Sequence, residues 1–307
     1  MAIFTWTGNK ANLAADAADE AINRLVHENL YENAPIWMLA TRMGDVSGNG
    51  AASLQTPTLT RGAAAAAANA DEDTAEALNT VTVGNFTAAV AVQEYGLGQT
   101  DLARILQAQS FDIPLLVQLC VDAISQRRTD LFTTTFSGFS TSKGTTGTDL
   151  DIDAMWEAIY ASQIALNSPA GGAFVLKPKA LGEFQESLRS EGGAAQFMAA
   201  TQAMLAMKGQ MFAGTFAGLD VYTCGSVTDD ATDYSNALIF PGAVGYVEAD
   251  MSRLNGDGAI PVPVGSSIRV EISRDASKAQ TAVYARDAVG FAEQEDARGV
   301  EILSQVA

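Results

Sequence analysis

Ser47-Gly48-Asn49-Gly50, then Leu54-Gln55-Thr56-Pro57-Thr58-Leu59-Thr60-Arg61, then Gly62 with the alanines 63–68 and the acidic knot Asp71-Glu72-Asp73, then Leu78-Asn79-Thr80-Val81-Thr82-Val83 and the apolar run from Phe86 to Val92: this stretch decides how the rest is read. It spells one strand going out, a polar tip, and one strand coming back. A lone two-stranded ribbon is marginal in water. Pro57 cannot donate to a ladder, which confines its strand to a sheet edge or to unpaired chain. The segment 47–98 is therefore expected to be a flap that finds its partners on another copy of the molecule.

On the C-terminal side of the flap the period changes from two to three and four. Thr100 and Asp101 fit the start of a short helix reaching Ala108. A main helix follows from about Asp112 to Thr133, with Ile113, Leu116, Val117, Cys120, Val121 and Ile124 along one face. At ~1.5 Å per residue it would be about 30 Å long. Pro114 suits its first turn, where a missing N–H costs nothing. Arg127-Arg128 near its end fit either the negative end of the helix dipole or acidic partners across a subunit boundary. The Gly/Ser/Thr-rich run 133–148 reads as a linker.

N-terminal to the flap, residues 1–46 read as an arm. One amphipathic helix is expected near 14–30, with Ala18, Ile22, Leu25, Val26 and Leu30 on one face. Trp6 and Trp37 have no local core to enter, so each is expected to dock on the body or on a neighbour.

Beyond Asp149, the residues Ile152, Met155, Trp156, Ile159 and Tyr160 form a helical stripe. Phe174–Leu176 reads as a buried strand, and Pro178 opens a helix with Leu181, Phe184 and Leu188 inward. A Met-rich helix is expected over about 194–212, with Met198, Met204, Met207 and Met211 packed in the core. Leu219–Thr223, Ala237–Phe240 and Val244–Ala249 read as strands of a central sheet. Ile268–Ile272 alternates strictly, and Thr281–Ala285 and Ala288–Ala292 are expected as two further strands.

Composition restricts function. The chain has 307 residues, 48% of them apolar, and carries 36 acidic against 18 basic side chains, a formal charge of −18. A dedicated nucleic-acid binder would show a basic stripe, whereas mutual repulsion keeps abundant copies dispersed. Cys120 and Cys224 each sit in an apolar run, which favours buried thiols over a disulfide. No window has the ~18 apolar residues of a membrane span, and no basic region opens the chain as in a signal peptide.

Catalytic chemistry is hard to build from these residues. His27 is the only histidine and lies off the apolar face of the arm helix. No G-x-S-x-G, P-loop, G-x-G-x-x-G or zinc spacing occurs. Asp149, Asp151 and Asp153 start like a calcium loop, but Ala154 stands at the sixth position and Tyr160 at the twelfth, which spoils it; helix capping explains the three carboxylates. The Asp71–Asp73 knot reads as a solvated charge run. No metal, cofactor or catalytic residue is expected, and an enzyme is the least supported class.

In this order the parts resemble a major capsid protein of tailed bacteriophages, with the α+β Hong Kong 97 phage-type fold. The resemblance rests on layout across nearly the whole chain and on no single motif. It implies an N-terminal arm (1–46), an extended loop (47–98), a peripheral domain with its spine helix (99–148), an axial domain (149–263) and returning peripheral strands (264–307). The pieces that carry it include Asp130-Leu131-Phe132 closing the helix, Ala173–Pro178, Gly214–Tyr222, Ala237–Phe240, Tyr246–Glu248, and the tail from Ile268 to Phe291.

The resemblance further implies pentamers and hexamers closing into an icosahedral virion head around double-stranded DNA touched without sequence preference. It implies assembly in the host cytoplasm with separate scaffold, cement and portal proteins, and no membrane. Subunit contacts are then expected at Trp6, Trp37, Arg61, Asp71, Glu72, Asp73, Arg127 and Arg128.

Two departures qualify the resemblance. Some members crosslink subunits through a loop lysine, but no Lys occurs between Lys10 and Lys143. No long charged helical segment precedes the arm, so a mature form or a separate scaffold is expected. An encapsulin-type nanocompartment shares the architecture, and packaged DNA would tell the two apart. A filament or surface-layer protein would share the composition but show terminal heptads.

Overall fold

In a computed structural model of the chain, the residues described are 36–48, 52–60, 82–101, 113–166, 171–190, 196–209, 211–254 and 266–306. In chain order the regular elements are β1 (Thr41–Asp45), β2 (Ser53–Thr60), β3 (Thr82–Ala89), β4 (Ala91–Thr100), α1 (Ile113–Thr133), β5 (Ser142–Lys143), α2 (Ile152–Leu166), β6 (Ala173–Leu176), α3 (Pro178–Ser190), β7 (Phe197–Ala199), α4 (Gln202–Lys208), β8 (Phe212–Phe216), β9 (Leu219–Thr223), β10 (Asp233–Ile239), β11 (Val244–Glu248), β12 (Ile268–Asp275), β13 (Gln280–Glu293) and β14 (Gly299–Gln305). They form an α+β fold of two sheets and a separate two-stranded ribbon. The arm helix with His27, the tip 61–81 and the remainder of the helix begun at Asp101 lie outside the described residues.

The long helix α1 takes the extent its periodicity predicts. Val117, Cys120, Val121 and Ile124 are buried along one face. At its C-terminal end a threonine run adds second donors to carbonyls that already accept from the backbone (Thr134 N to Asp130 O, Thr135 N to Phe132 O): the hydroxyls of Thr133 and Thr134 donate to Asp130 O, and that of Thr135 to Phe132 O. The expected linker 133–148 is a working part of the core. Phe136 and Phe139 are buried, the Phe136 ring meets Phe132 edge-on at 5.1 Å, and Ser142–Lys143 adds a parallel edge strand to β14.

The first sheet has the order β1-β11-β13-β12, with β4 also on β13. Its axis is β13, a single strand of 14 residues where the sequence suggested two. The apparent break, Arg286-Asp287, is polar because both side chains are paired. Arg286 reaches Glu94 and Glu271 at 2.5 and 2.7 Å, and Asp287 accepts from Arg128. Ile268, Val270, Val283 and Ala285 share a core with the buried face of α1.

The second sheet has the order β5-β14-β10-β6-β9-β8-β7. Helices α2 and α3 cover one face. Ala180, Phe184 and Leu188 point in at every fourth position of α3, and Phe184 meets Phe216 edge-on at 5.0 Å. The opposite face, with Val175, Ala237 and Ile239, joins Phe132, Phe136 and Phe139 in the same core as α1, so the two sheets share hydrophobic interior.

Three sequence expectations change here. The Met-rich helix over 194–212 is instead β7, the short α4 and β8, because Gly209 (φ 87°) stops the helix and Phe212–Phe216 alternates buried and half-buried. β11, expected in the axial sheet, lies in the first sheet against β1 and β13. The tail 299–305, expected with the peripheral strands, pairs along all of β10 in the second sheet. Its inward Ser304 is what allows buried Asn236 to be satisfied. The Asn236 amide donates to Ser304 Oγ (2.9 Å) and Ile302 O (3.2 Å) and accepts from Lys177 N (2.7 Å).

Candidate subunit interface

The ribbon is made by β2 and β3, paired antiparallel from Ser53↔Ala89 to Thr60↔Thr82. Pro57 faces Asn85 in this pairing, and neither β2 nor β3 pairs with any other described strand. At its root the ribbon is packed. Phe86 and Ala88 are buried with Val46 and Val247, and Met43, Leu54 and Val90 close around them. Val90 N donates to Ala52 O at 2.7 Å. The return arm then continues, through Val90 alone, into β4, which pairs with β13 over ten residues.

Charge reinforces that junction. Arg286 Nε meets Glu94 at 2.5 Å, Arg274 grips both Asp101 oxygens at 3.0 and 2.6 Å, and Arg127 Nε donates to Gln93 at 3.1 Å. These groups are largely exposed, so each contact is worth little by itself, but together they fix β4 to the body. The ribbon therefore leaves an anchored root with neither edge paired to another described strand.

The contact residues expected from sequence divide into three groups. Trp6, Arg61, Asp71, Glu72 and Asp73 lie outside the described residues. Arg127 is exposed beside β4 and keeps a place at the surface. Trp37 and Arg128 are corrected, because both are buried inside their own subunit.

Arg128 makes a bidentate pair with Asp287 (2.6 and 2.7 Å), donates to Ser267 Oγ (2.6 Å) and meets Glu248 at 3.2 Å. Its guanidinium lies 4.7 Å from the centre of the Trp37 ring, which meets Tyr246 edge-on at 5.7 Å. Glu248 also holds Arg42 at 3.1 Å. This cluster fastens the end of the arm, α1 and three strands to one another. A charge taken out of water needs partners of this kind to be stable, and Asp287, Ser267 and Glu248 supply them to Arg128.

Apolar side chains remain on the surface. Leu115 and Leu119 lie one turn apart on α1, Tyr95 and Val92 on β4, and Tyr160 and Ile164 one turn apart on α2. The core reading of the methionines fails: Met198 and Met207 are 62% and 85% exposed, Met211 is exposed as well, and Met204 is only half-buried. Helical periodicity could not reveal this, since that segment is mostly not helix.

Among the described residues, no group of His, Cys, Asp and Glu is placed to hold a metal. Asp151 caps the helix end at Ala154 N (2.8 Å), whereas Asp149 accepts from the Gln305 side-chain amide at the end of β14 and so ties this segment to the tail strand. Burial pushes both cysteine thiols up, away from nucleophilic thiolate. No described helix is long and apolar enough to cross a membrane.

The architecture is that of the Hong Kong 97 phage-type capsid-shell fold, as the order of parts in the sequence implied. Solved structures similar to the chain include the capsid of cyanophage P-SCSP1u (12% identity, TM-score 0.62, 99% of this chain and 93% of that one). They also include the capsid of Ralstonia phage GP4 (11%, 0.61, 88% and 87%) and the SrpI encapsulin of Synechococcus elongatus (12%, 0.57, 97% and 91%). At these identities the likeness is one of fold. No protein-family model and no curated protein matches the sequence.

Proposed function

We propose that the chain is the major capsid protein of a tailed phage, a structural subunit with no catalytic role that forms pentamers and hexamers and closes into an icosahedral head around double-stranded DNA. The observation that carries this reading is the ribbon: eight residues on each strand, an anchored root, and, among the described residues, no further strand along either edge. A neighbouring subunit is the natural partner for such a surface, and many weak copies of one contact make a strong closed shell. The net charge of −18 fits a wall that DNA fills without adhering. Scaffold, cement and portal proteins would be separate chains, and assembly would precede packaging in the host cytoplasm.

Negative-stain microscopy of the purified protein tests this directly. Closed shells are expected, and a stable monomer at high concentration refutes the proposal. Deleting residues 62–77 should abolish shells while the circular dichroism of the subunit is retained. Shells of normal size from that deletion would remove the ribbon from the assembly mechanism.

The second reading is a nanocompartment shell, favoured by the near full-length likeness to an encapsulin. Nuclease-protected DNA inside particles recovered from the native source supports the phage head; co-purifying protein cargo without DNA supports the compartment.

A further inference from the structure

The root of the ribbon rests on two glycines. Gly245 of β11 and Gly290 of β13 lie in neighbouring, paired strands, where Gly245 is opposite Ala292 and Val247 opposite Gly290. Both are buried, and neither has a positive φ. Their backbone conformations are open to any residue, so what requires glycine here is space.

The space is taken by the ribbon. A Cβ on Gly290 would overlap the Ala89 carbonyl oxygen and stand 2.7 Å from its carbon and 3.2 Å from Val90 N. Those atoms are the junction at which β3 becomes β4. A Cβ on Gly245 would stand 2.8 Å from Met43 Cγ and 2.9 and 3.0 Å from Phe86 Cε2 and Cζ. The ribbon thus sits in direct contact with the backbone of the sheet at one point and presses a buried aromatic ring on it at another.

We infer that Gly245 and Gly290 are positioning residues: a paired floor that fixes the angle at which the ribbon leaves the body, and through that angle its reach to the adjoining subunit. The reach part rests on the shell reading above; the angle part stands without it. The two sites differ in a useful way. At Gly290 the obstacle would be backbone, which yields only if the junction moves. At Gly245 it would be side-chain atoms: Met43 Cγ, on a flexible stem that can shift, and the edge of the Phe86 ring, which a smaller residue at that position could withdraw. Packed interiors transmit such displacements rather than absorbing them, and a shift at the root is multiplied along the ribbon.

The test uses the full chain with spin labels on cysteines introduced at Thr82, the far end of the described ribbon, and at Ser273 on β12. Cys120 and Cys224 are buried and stay unlabelled in the folded protein. Gly290→Ala should shift the mean distance in the unassembled subunit and remove shells of wild-type diameter. Gly245→Ala should do the same to a smaller degree, and Gly245→Ala with Phe86→Leu should restore distance and diameter together. Gly182→Ala, at a glycine with open space around it, should change neither.

An unchanged distance in both single variants overturns the inference, as does a shifted distance with shells of normal diameter. If Gly290→Ala does not fold, the Gly245 series decides by itself. If the wild-type protein makes no shells, the function proposed above fails, while the distances still decide whether the floor sets the ribbon's angle.

Discussion

Replacing Arg128 by methionine keeps most of the aliphatic stem and deletes the charge at the centre of the subunit. Both partners are out of water, with side chains 1% exposed for Arg128 and 0% for Asp287. The variant leaves the Asp287 carboxylate without its two short bonds and Ser267 without a donor, and it strips the cation from the face of Trp37. Breaking a buried ion pair from one side costs about 3–5 kcal/mol, and the desolvated cation–π contact is worth about 2 kcal/mol by itself. These losses overlap, so about 3–5 kcal/mol is expected in total, against a whole-domain stability of about 5–15 kcal/mol.

Removing both charges should hurt less than the sum of the single losses. In Arg128→Met with Asp287→Leu no carboxylate is stranded there, and Glu248 keeps Arg42. Urea unfolding of the unassembled subunit, followed by circular dichroism, gives all four corners of the cycle. A coupling of about 0.5–3 kcal/mol is expected for groups in direct contact. A loss below about 1 kcal/mol for Arg128→Met would refute the reasoning. So would additivity within about 0.3–0.5 kcal/mol.

Other consequences are as direct. Burial, helped by Asp296, pushes the Glu293 carboxyl up. A folded-state value above the unfolded one means that the ionised form penalises the fold; the penalty is full above the folded value and fades as pH falls to the unfolded one. Glu293→Gln should therefore melt higher than wild type at about pH 8 and lose that advantage below about pH 4; a difference that does not change with pH counts against this assignment. Cys120 and Cys224 should resist a maleimide in the native subunit and react in urea, read by mass spectrometry, and rapid native labelling would contradict their burial. Phe216→Ala removes the ring on which Phe174, Phe184 and Trp156 converge and should cost about 3–5 kcal/mol in the same urea assay; a cost under about 1 kcal/mol would show that the site collapses around the loss.

Particular elements show what was readable in advance. The spine helix was legible almost to the residue, because an apolar side chain every third or fourth position is a local fact that packing against one sheet then exploits. Leu219–Thr223 and the start of Ile268–Asp275 were legible for the same reason at period two. The ribbon was legible through its proline and glycines, but it is shorter than the flap expected over 47–98: its return strand is 82–89, and 91–100 pairs with β13 in the body of the same chain. The tail strand 299–305 carries a period-two signal in Val300, Ile302 and Ser304, but a buried serine hides it unless Asn236 is known to face it.

The expected contact residues were the least legible. Arg128 and Asp287 are 159 positions apart, and nothing local distinguishes an arginine that will be buried in an ion pair from Arg127 beside it, which stays exposed. Trp37 looked homeless because its partners, Tyr246 and Arg128, come from distant elements. Periodicity and turn chemistry, which depend on a few consecutive residues, determined helices α1 to α3, most strands and the outgoing flap. Only the tertiary structure decided which sheet each strand joins, which charges neutralise one another inside, and how closely the ribbon sits on Gly245 and Gly290. Those outcomes depend on surfaces that meet only after the chain has closed on itself.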